Sequence, residues 1–344
     1  MIRICTSLSK NGYQVTLVGR KHKASPPLSP LPFRQVRLHS LFVKGKWMYA
    51  EYNLRLFFYL LFKKADIICS IDLDTILPCW LISKTRKIPR VYDAHELFCE
   101  MKEVKSRPSV YRIWKRVERF AVPKFTLGYT VNQLIADEFK KMYGVQYAVI
   151  RNITVLDTAT GEIPREDPFI LYQGAVNEGR CFESLIPAFQ WISTPLIICG
   201  DGNFMTQTRE LVQRYRLENK VIFKGRIAPD ELKKITPAAI IGITLCDRTG
   251  LSTYYSLANR FFDYMHAGVP QLCVDYPVYR EINEQYEVAV LISDLSPENI
   301  ATQINSLLND PKCYERLRQN CLLARQVFNW QKEEKTLIDF YNQI

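Results

Sequence analysis

Residues 254–270, YYSLANRFFDYMHAGVP, decide how the rest of the chain is read. Leu257, Phe261, Phe262 and Met265 recur at roughly helical spacing, and Gly268-Val-Pro270 is a stop followed by a new start. Residues 271–275, QLCVD, then read as a short buried strand. The start of the predicted helix carries Ser256, Asn259 and Arg260. Free backbone N–H groups, small polar side chains and a guanidinium in one turn suit a diphosphate. Asp263, one turn further on, could accept hydrogen bonds from ribose hydroxyls. The same residues would also serve a capped amphipathic helix beneath a sheet.

The pattern around this stretch is α/β. In the first half, strands are predicted at 13–18, 67–71, 90–92, 126–131 and 149–150, and helices at 1–10, 78–83, 112–122 and 133–143. The second half restarts with strands at 169–173, 196–199, 221–224 and 240–245, separated by helices at 181–189, 207–215 and 230–235. Such alternation means βαβ units and parallel sheets. Two Rossmann-like, doubly wound domains with a cleft between them are the expectation, with ligands beyond the carboxyl ends of the strands. The polar segment DTATGEIPREDP, residues 157–168, is the expected linker. It separates a domain at 1–156 from one at 169–328, and residues 329–344 form a terminal helix with Trp330, Leu337, Ile338 and Tyr341 along one side.

At 344 residues the chain is long enough for two cores, and 47% hydrophobic with 24% charged residues is ordinary for a globular protein. The ten cysteines form no CxxC pair, which argues for a reducing cytoplasm and against disulfides or a zinc site. The four histidines show no ligand spacing, so no metal is expected. Charge is uneven: residues 1–150 hold 26 Lys and Arg against 11 Asp and Glu, net +15, while the remainder is net −4. A basic half suggests an acidic partner: nucleic acid, anionic lipid or a phosphorylated acceptor. No nucleic-acid motif stands out. Residues 47–62, WMYAEYNLRLFFYLLF, are too short and too charged to span a bilayer. Flanked by Lys44, Lys46, Lys63 and Lys64, they read either as a helix packed on the sheet or as an interfacial helix.

The stretch FDYMHAGVP, with VYDAHELF at 91–98, resembles glycosyltransferase family 4. This is a GT-B group of retaining enzymes whose signature is Glu-x7-Glu followed by a small-residue Ala-Gly-x-Pro turn. The second Glu position falls on Asp263 and the first on Tyr255, so a phenol stands where the family contacts the donor sugar. The resemblance runs from Met1 to Ile344 and implies a sugar moved from a nucleotide diphosphate sugar to an acceptor, without a cofactor or metal. It implies that His95 and Asp263 are the catalytic residues, with Asp93 and Glu96 shaping the His95 loop on the acceptor side. It assigns the donor to Gly174, Arg180, Gly202, Arg226, Tyr255, Ser256, Leu257, Asn259, Arg260 and Asp263. The family often carries an Arg after the first Gly of the second domain; here it is Ala175, so Arg260, Lys224 or Arg226 would supply that charge. The family also opens with a strand ahead of the helix that matches 1–10, which implies a misassigned start or a truncated chain. A sugar-nucleotide 2-epimerase and a non-catalytic binding subunit are the alternatives. The predicted location is cytoplasmic, peripheral at the inner face of the membrane.

Overall fold

The computed structural model describes residues 1–21, 25, 27–157 and 167–344. Most of the expected linker, 158–166, lies outside the described residues. The chain divides into two compact units, one of Met1–Arg151 with Lys332–Ile344 and one of Asn152–Gln331.

The first unit runs α1 (Ile2–Lys10), β1 (Thr16–Lys21), β2 (Arg34–His39), α2 (Gly45–Leu61), β3 (Ile68–Ile71), α3 (Ile76–Arg86) and β4 (Arg90–Ala94). It continues with α4 (Lys102–Lys105), α5 (Pro108–Ala121), β5 (Leu127–Thr130), α6 (Gln133–Tyr143) and β6 (Ala148–Val149). Strands β3-β4-β5-β6 form a parallel sheet, and β1 and β2 form a separate parallel pair. The edges of β1 and β3 that face away from these ladders line a cavity of about 710 Å³. The first strand lies later than predicted, at 16–21 rather than 13–18, because the Tyr13 amide still donates to Leu8 O in the turn that closes α1. Strand β2 was not anticipated: RQVRLH has little apolar signal, and only its end residues are fully exposed. Caps fix α6 at both ends, with Asn132 Oδ1 accepting from the Ile135 amide and Gly144 in the left-handed conformation.

Helix α2 corrects one of the two readings of its segment. It buries Leu56 alone, so it is not a core helix. Trp47, Leu54, Phe58 and Leu61 are exposed, as are Leu41, Phe42, Val43 and Phe62 just beyond its ends. Glu51 ties the preceding loop to the helix by accepting from the Leu41 and Phe42 amides. No helix among the described residues is long and apolar enough to cross a membrane.

The second unit runs β7 (Ile170–Gln173), α7 (Phe182–Ala188), β8 (Leu196–Cys199), α8 (Met205–Arg214), β9 (Val221–Gly225), α9 (Pro229–Ile235) and β10 (Ile241–Thr244). Then come α10 (Leu251–Tyr254), α11 (Asn259–His266), β11 (Gln271–Val274), α12 (Pro277–Tyr286), β12 (Ala289–Ile292), α13 (Pro297–Asn309), α14 (Pro311–Ala324) and α15 (Trp330–Asn342). From Lys332 onward, α15 belongs to the first unit, where Tyr341 and Phe340 pack edge-on against Tyr129. The sheet order β12-β11-β10-β7-β8-β9 is parallel throughout. Strand β7 is buried along its whole length, with Ile170 and Tyr172 in one apolar cluster and Leu171 in another. Burial on both faces is what a central strand of a parallel sheet requires. Strand order reverses between β7 and β10, so the loops leaving these two strands diverge at a topological switch point.

Candidate functional site

The switch point gathers the second unit's polar residues. Gln173 ends β7 and is buried. Its side chain donates to Asp263 Oδ2 (2.9 Å) and accepts from Thr236 Oγ1 (2.8 Å). Its amide donates to the Tyr264 hydroxyl (3.1 Å), and its carbonyl accepts from Arg260 Nη1 (3.1 Å). One residue thereby ties β7 to Arg260, Asp263 and Tyr264 of α11. Asp263 also accepts from Thr154 Oγ1 (2.6 Å).

Arg260 is the unusual residue. It is 8% exposed, lies over the Tyr172 ring at 4.6 Å, and forms no salt bridge among the described residues. Its Nε has no hydrogen-bond partner. Buried guanidinium groups stay charged and are ordinarily paired. A Cβ on Gly174 would stand 3.2 Å from Arg260 Nη1, so the exposed Gly174, at φ +124°, brings open backbone directly above the buried cation. No side chain caps α11. Asn259 is exposed, Leu257 packs on the core, and the Ser256 hydroxyl donates to Thr253 O. Tyr255 is half-buried, 5.5 Å from the Tyr254 ring.

The remaining expected donor residues divide. Arg180 is half-buried at the end of the β7 loop. Gly179 beside it allows close approach of Asp247, whose carboxylate would lie 3.1 Å from a Cβ there. Gly202 is explained by packing: a Cβ would sit 2.2 Å from Val176 O. Gly200, not singled out from the sequence, is tighter still at 1.8 Å from Gly174 O. These glycines let the β7 and β8 loops lock backbone to backbone, with Gly174 N donating to Cys199 O and Val176 N to Asp201 O. Arg226 is exposed and pairs loosely with Asp201 at 3.6 Å.

The first unit holds a separate polar cluster where β4 ends. Asp93 is buried, accepting from the Tyr129 hydroxyl (3.0 Å) and facing His95 Nε2 at 3.3 Å. Met1 Sδ lies 3.3 Å from the same ring nitrogen. Asp72, which no sequence motif singles out, accepts from the His95 amide at 3.1 Å. Glu96 is half-buried beside them. Burial alone would lower the His95 pKa, but the hydrogen bond to Asp93 and the charges of Asp93 and Asp72 outweigh it, and the net shift is upward. Burial lifts the Asp72 carboxyl to about 6, against the pull of the His95 imidazole. Among the described residues no cluster of three or more His, Cys, Asp or Glu has metal-site geometry.

Known proteins resemble both halves of the chain. Residues 157–322 match the model of glycosyl transferases group 1, and residues 1–157 match that of glycosyltransferase family 4. The chain is a group 1 glycosyltransferase of the family 4 type. Its fold is GT-B. Sucrose-phosphate synthase from Thermosynechococcus elongatus superposes with a TM-score of 0.80 at 18% identity, over 99% of this chain and 91% of that one. WaaG, a glycosyltransferase involved in lipopolysaccharide biosynthesis, gives 0.74 at 15% identity, over 98% and 94%. Anabaena HepE, solved in complex with UDP and glucose, gives 0.70 at 15% identity, over 91% and 87%. No curated protein sequence matches this glycosyltransferase.

Proposed function

We propose that this glycosyltransferase takes its sugar, with retention of configuration, from a nucleotide diphosphate sugar carrying uridine or guanosine. The acceptor is a glycan or lipid-linked glycan of cell-surface polysaccharide synthesis. The observation that carries the reading is the buried, unpaired Arg260 beneath Gly174 at the switch point. Breaking a glycosyl–phosphate bond leaves negative charge on the diphosphate, and a fixed cation in a desolvated site stabilises that charge most strongly. Arg180 and the α11 N-terminus with Ser256 and Asn259 add to it, so that guanidinium groups neutralise the leaving group in place of a metal. Asp263, oriented by Gln173 and Thr154, takes the ribose hydroxyls. His95 serves turnover more than donor binding. That Anabaena HepE binds UDP and glucose supports this donor class.

The exposed apolar face of α2, with Lys44, Lys46, Lys63 and Lys64 all exposed around it, supports peripheral attachment to an anionic membrane at the cytoplasmic face. Tyr255 at the first Glu position favours a second reading, a subunit that binds sugar nucleotides without turnover. Incubation with UDP-, GDP- and ADP-sugars separates the possibilities. Acceptor-dependent release of nucleoside diphosphate means transferase, interconversion of the sugar nucleotide without acceptor means epimerase, and binding without either means a subunit.

A further inference from the structure

We infer that Asp72 is a positioning residue for His95, clamping its backbone while Asp93 sets its ring. The inference rests on the proposed role of His95 in turnover. Three observations carry it. Asp72 closes β3, and its own amide donates to Asp93 O at 2.9 Å, so it is stitched to β4 one residue before the strand gives way to the His95 loop. Its carboxylate reaches forward to accept from the His95 amide at 3.1 Å. Its backbone stands at φ 52°, ψ 178°, a conformation that glycine adopts freely and side-chain-bearing residues avoid. A turn needing only that geometry is served best by glycine. An aspartate there retains strain, and its carboxylate is the group that gains a contact.

The two carboxylates divide the work. Asp93 Oδ1 faces Nε2 of the ring, and Asp93 Oδ2 is held in turn by Tyr129. Asp72 holds the main chain from the other side. With both ends of the residue fixed, the imidazole has one direction at the carboxyl edge of the sheet. The charged and titratable groups around Asp72 are His95, Asp93, Asp74 and Tyr92, and the Met1 amino group faces His95. The shifts agree with the geometry, since Asp72 and Asp93 each favour the imidazolium.

The test compares Asp72→Gly, Asp72→Asn and His95→Ala in the full chain. Glycine accepts the backbone conformation and removes the carboxylate; asparagine keeps an acceptor and removes the charge. Melting is followed for every variant, and the His95 imidazole is titrated by NMR, with His95→Ala identifying its signal. Turnover is followed with the nucleotide sugar that the donor panel selects. The expected result for Asp72→Gly is an undiminished melting temperature, a lowered His95 midpoint, and turnover down about tenfold with the donor Michaelis constant unchanged. Asp72→Asn should recover part of that turnover. A folded Asp72→Gly with the wild-type imidazole midpoint, or with wild-type turnover, overturns the inference. So does an Asp72→Gly that no longer folds, which would make the carboxylate a support of the fold at large. Full activity in His95→Ala would overturn the functional reading instead, and would leave a shifted midpoint in Asp72→Gly as proof of the clamp alone.

Discussion

Replacing Arg260 by methionine should separate stability from ligand binding. Methionine keeps an unbranched chain against Tyr172 and removes the charge. The guanidinium donates to Gln173 O at 3.1 Å and lies 4.6 Å over the Tyr172 ring. Losing the hydrogen bond costs about 1.5–3 kcal/mol, and losing the cation–π contact about 1–2 kcal/mol. Against this stands the relief of an unpaired buried charge, an effective several kcal/mol. The net change in unfolding free energy should therefore fall within about 2 kcal/mol of zero. Binding is different, because nothing offsets the loss of two charge-assisted contacts to a diphosphate. That loss is about 3 kcal/mol, or roughly 150-fold in Kd. Urea unfolding and calorimetric titration with UDP, GDP and ADP measure the two sides. A folded Arg260→Met that binds its nucleotide with wild-type affinity would refute the reasoning. So would a loss of stability above about 4 kcal/mol, the penalty expected when a satisfied buried group is removed.

Four further outcomes follow from the same structure. Gly202→Ala must push a Cβ into Val176 O, 2.2 Å away; denaturant unfolding should show a loss of about 1–3 kcal/mol, whereas Gly19→Ala, which meets nothing within 4 Å, should be near neutral. Asp263→Ala should raise the donor Michaelis constant or abolish turnover in a folded protein, and unchanged donor kinetics would remove it from the site. The Asp72 carboxyl, held at about 6, takes up a proton in the folded state before the unfolded chain does; stability should therefore fall as pH rises from about 4 to 6, and parallel stability–pH curves for wild type and Asp72→Asn would contradict that. Sedimentation with anionic but not zwitterionic liposomes, reversed by high salt and by mutating Lys44, Lys46, Lys63 and Lys64 to Gln, checks the membrane proposal.

The sequence makes some of this visible and hides the rest for physical reasons. Strand β8 and helix α6 have predictable bounds because an apolar run or a capped, periodic segment is a local signal. Strand β2 is hidden by its arginines, and α2 misleads because an apolar helix reads the same whether its face is buried or exposed. Arg260 and Asp263 stand out in one short motif. Gln173 and Thr154, which hold Asp263, are 90 and 109 residues away from it, and a polar residue at a strand end looks like any turn. Asp72 is hidden likewise, since only the fold brings it to His95, 23 residues on. Gly202 is legible as a loop glycine, but its reason, the close approach of Val176, belongs to tertiary packing.

The central claim is that Arg260 and the start of α11 receive a diphosphate. A crystal structure with bound UDP or GDP tests it most directly. The account predicts phosphate oxygens within hydrogen-bond distance of the Arg260 guanidinium and of the backbone at Asn259 and Arg260, beside Gly174. A nucleotide bound with its phosphates away from Arg260, leaving that guanidinium unpaired, would contradict it.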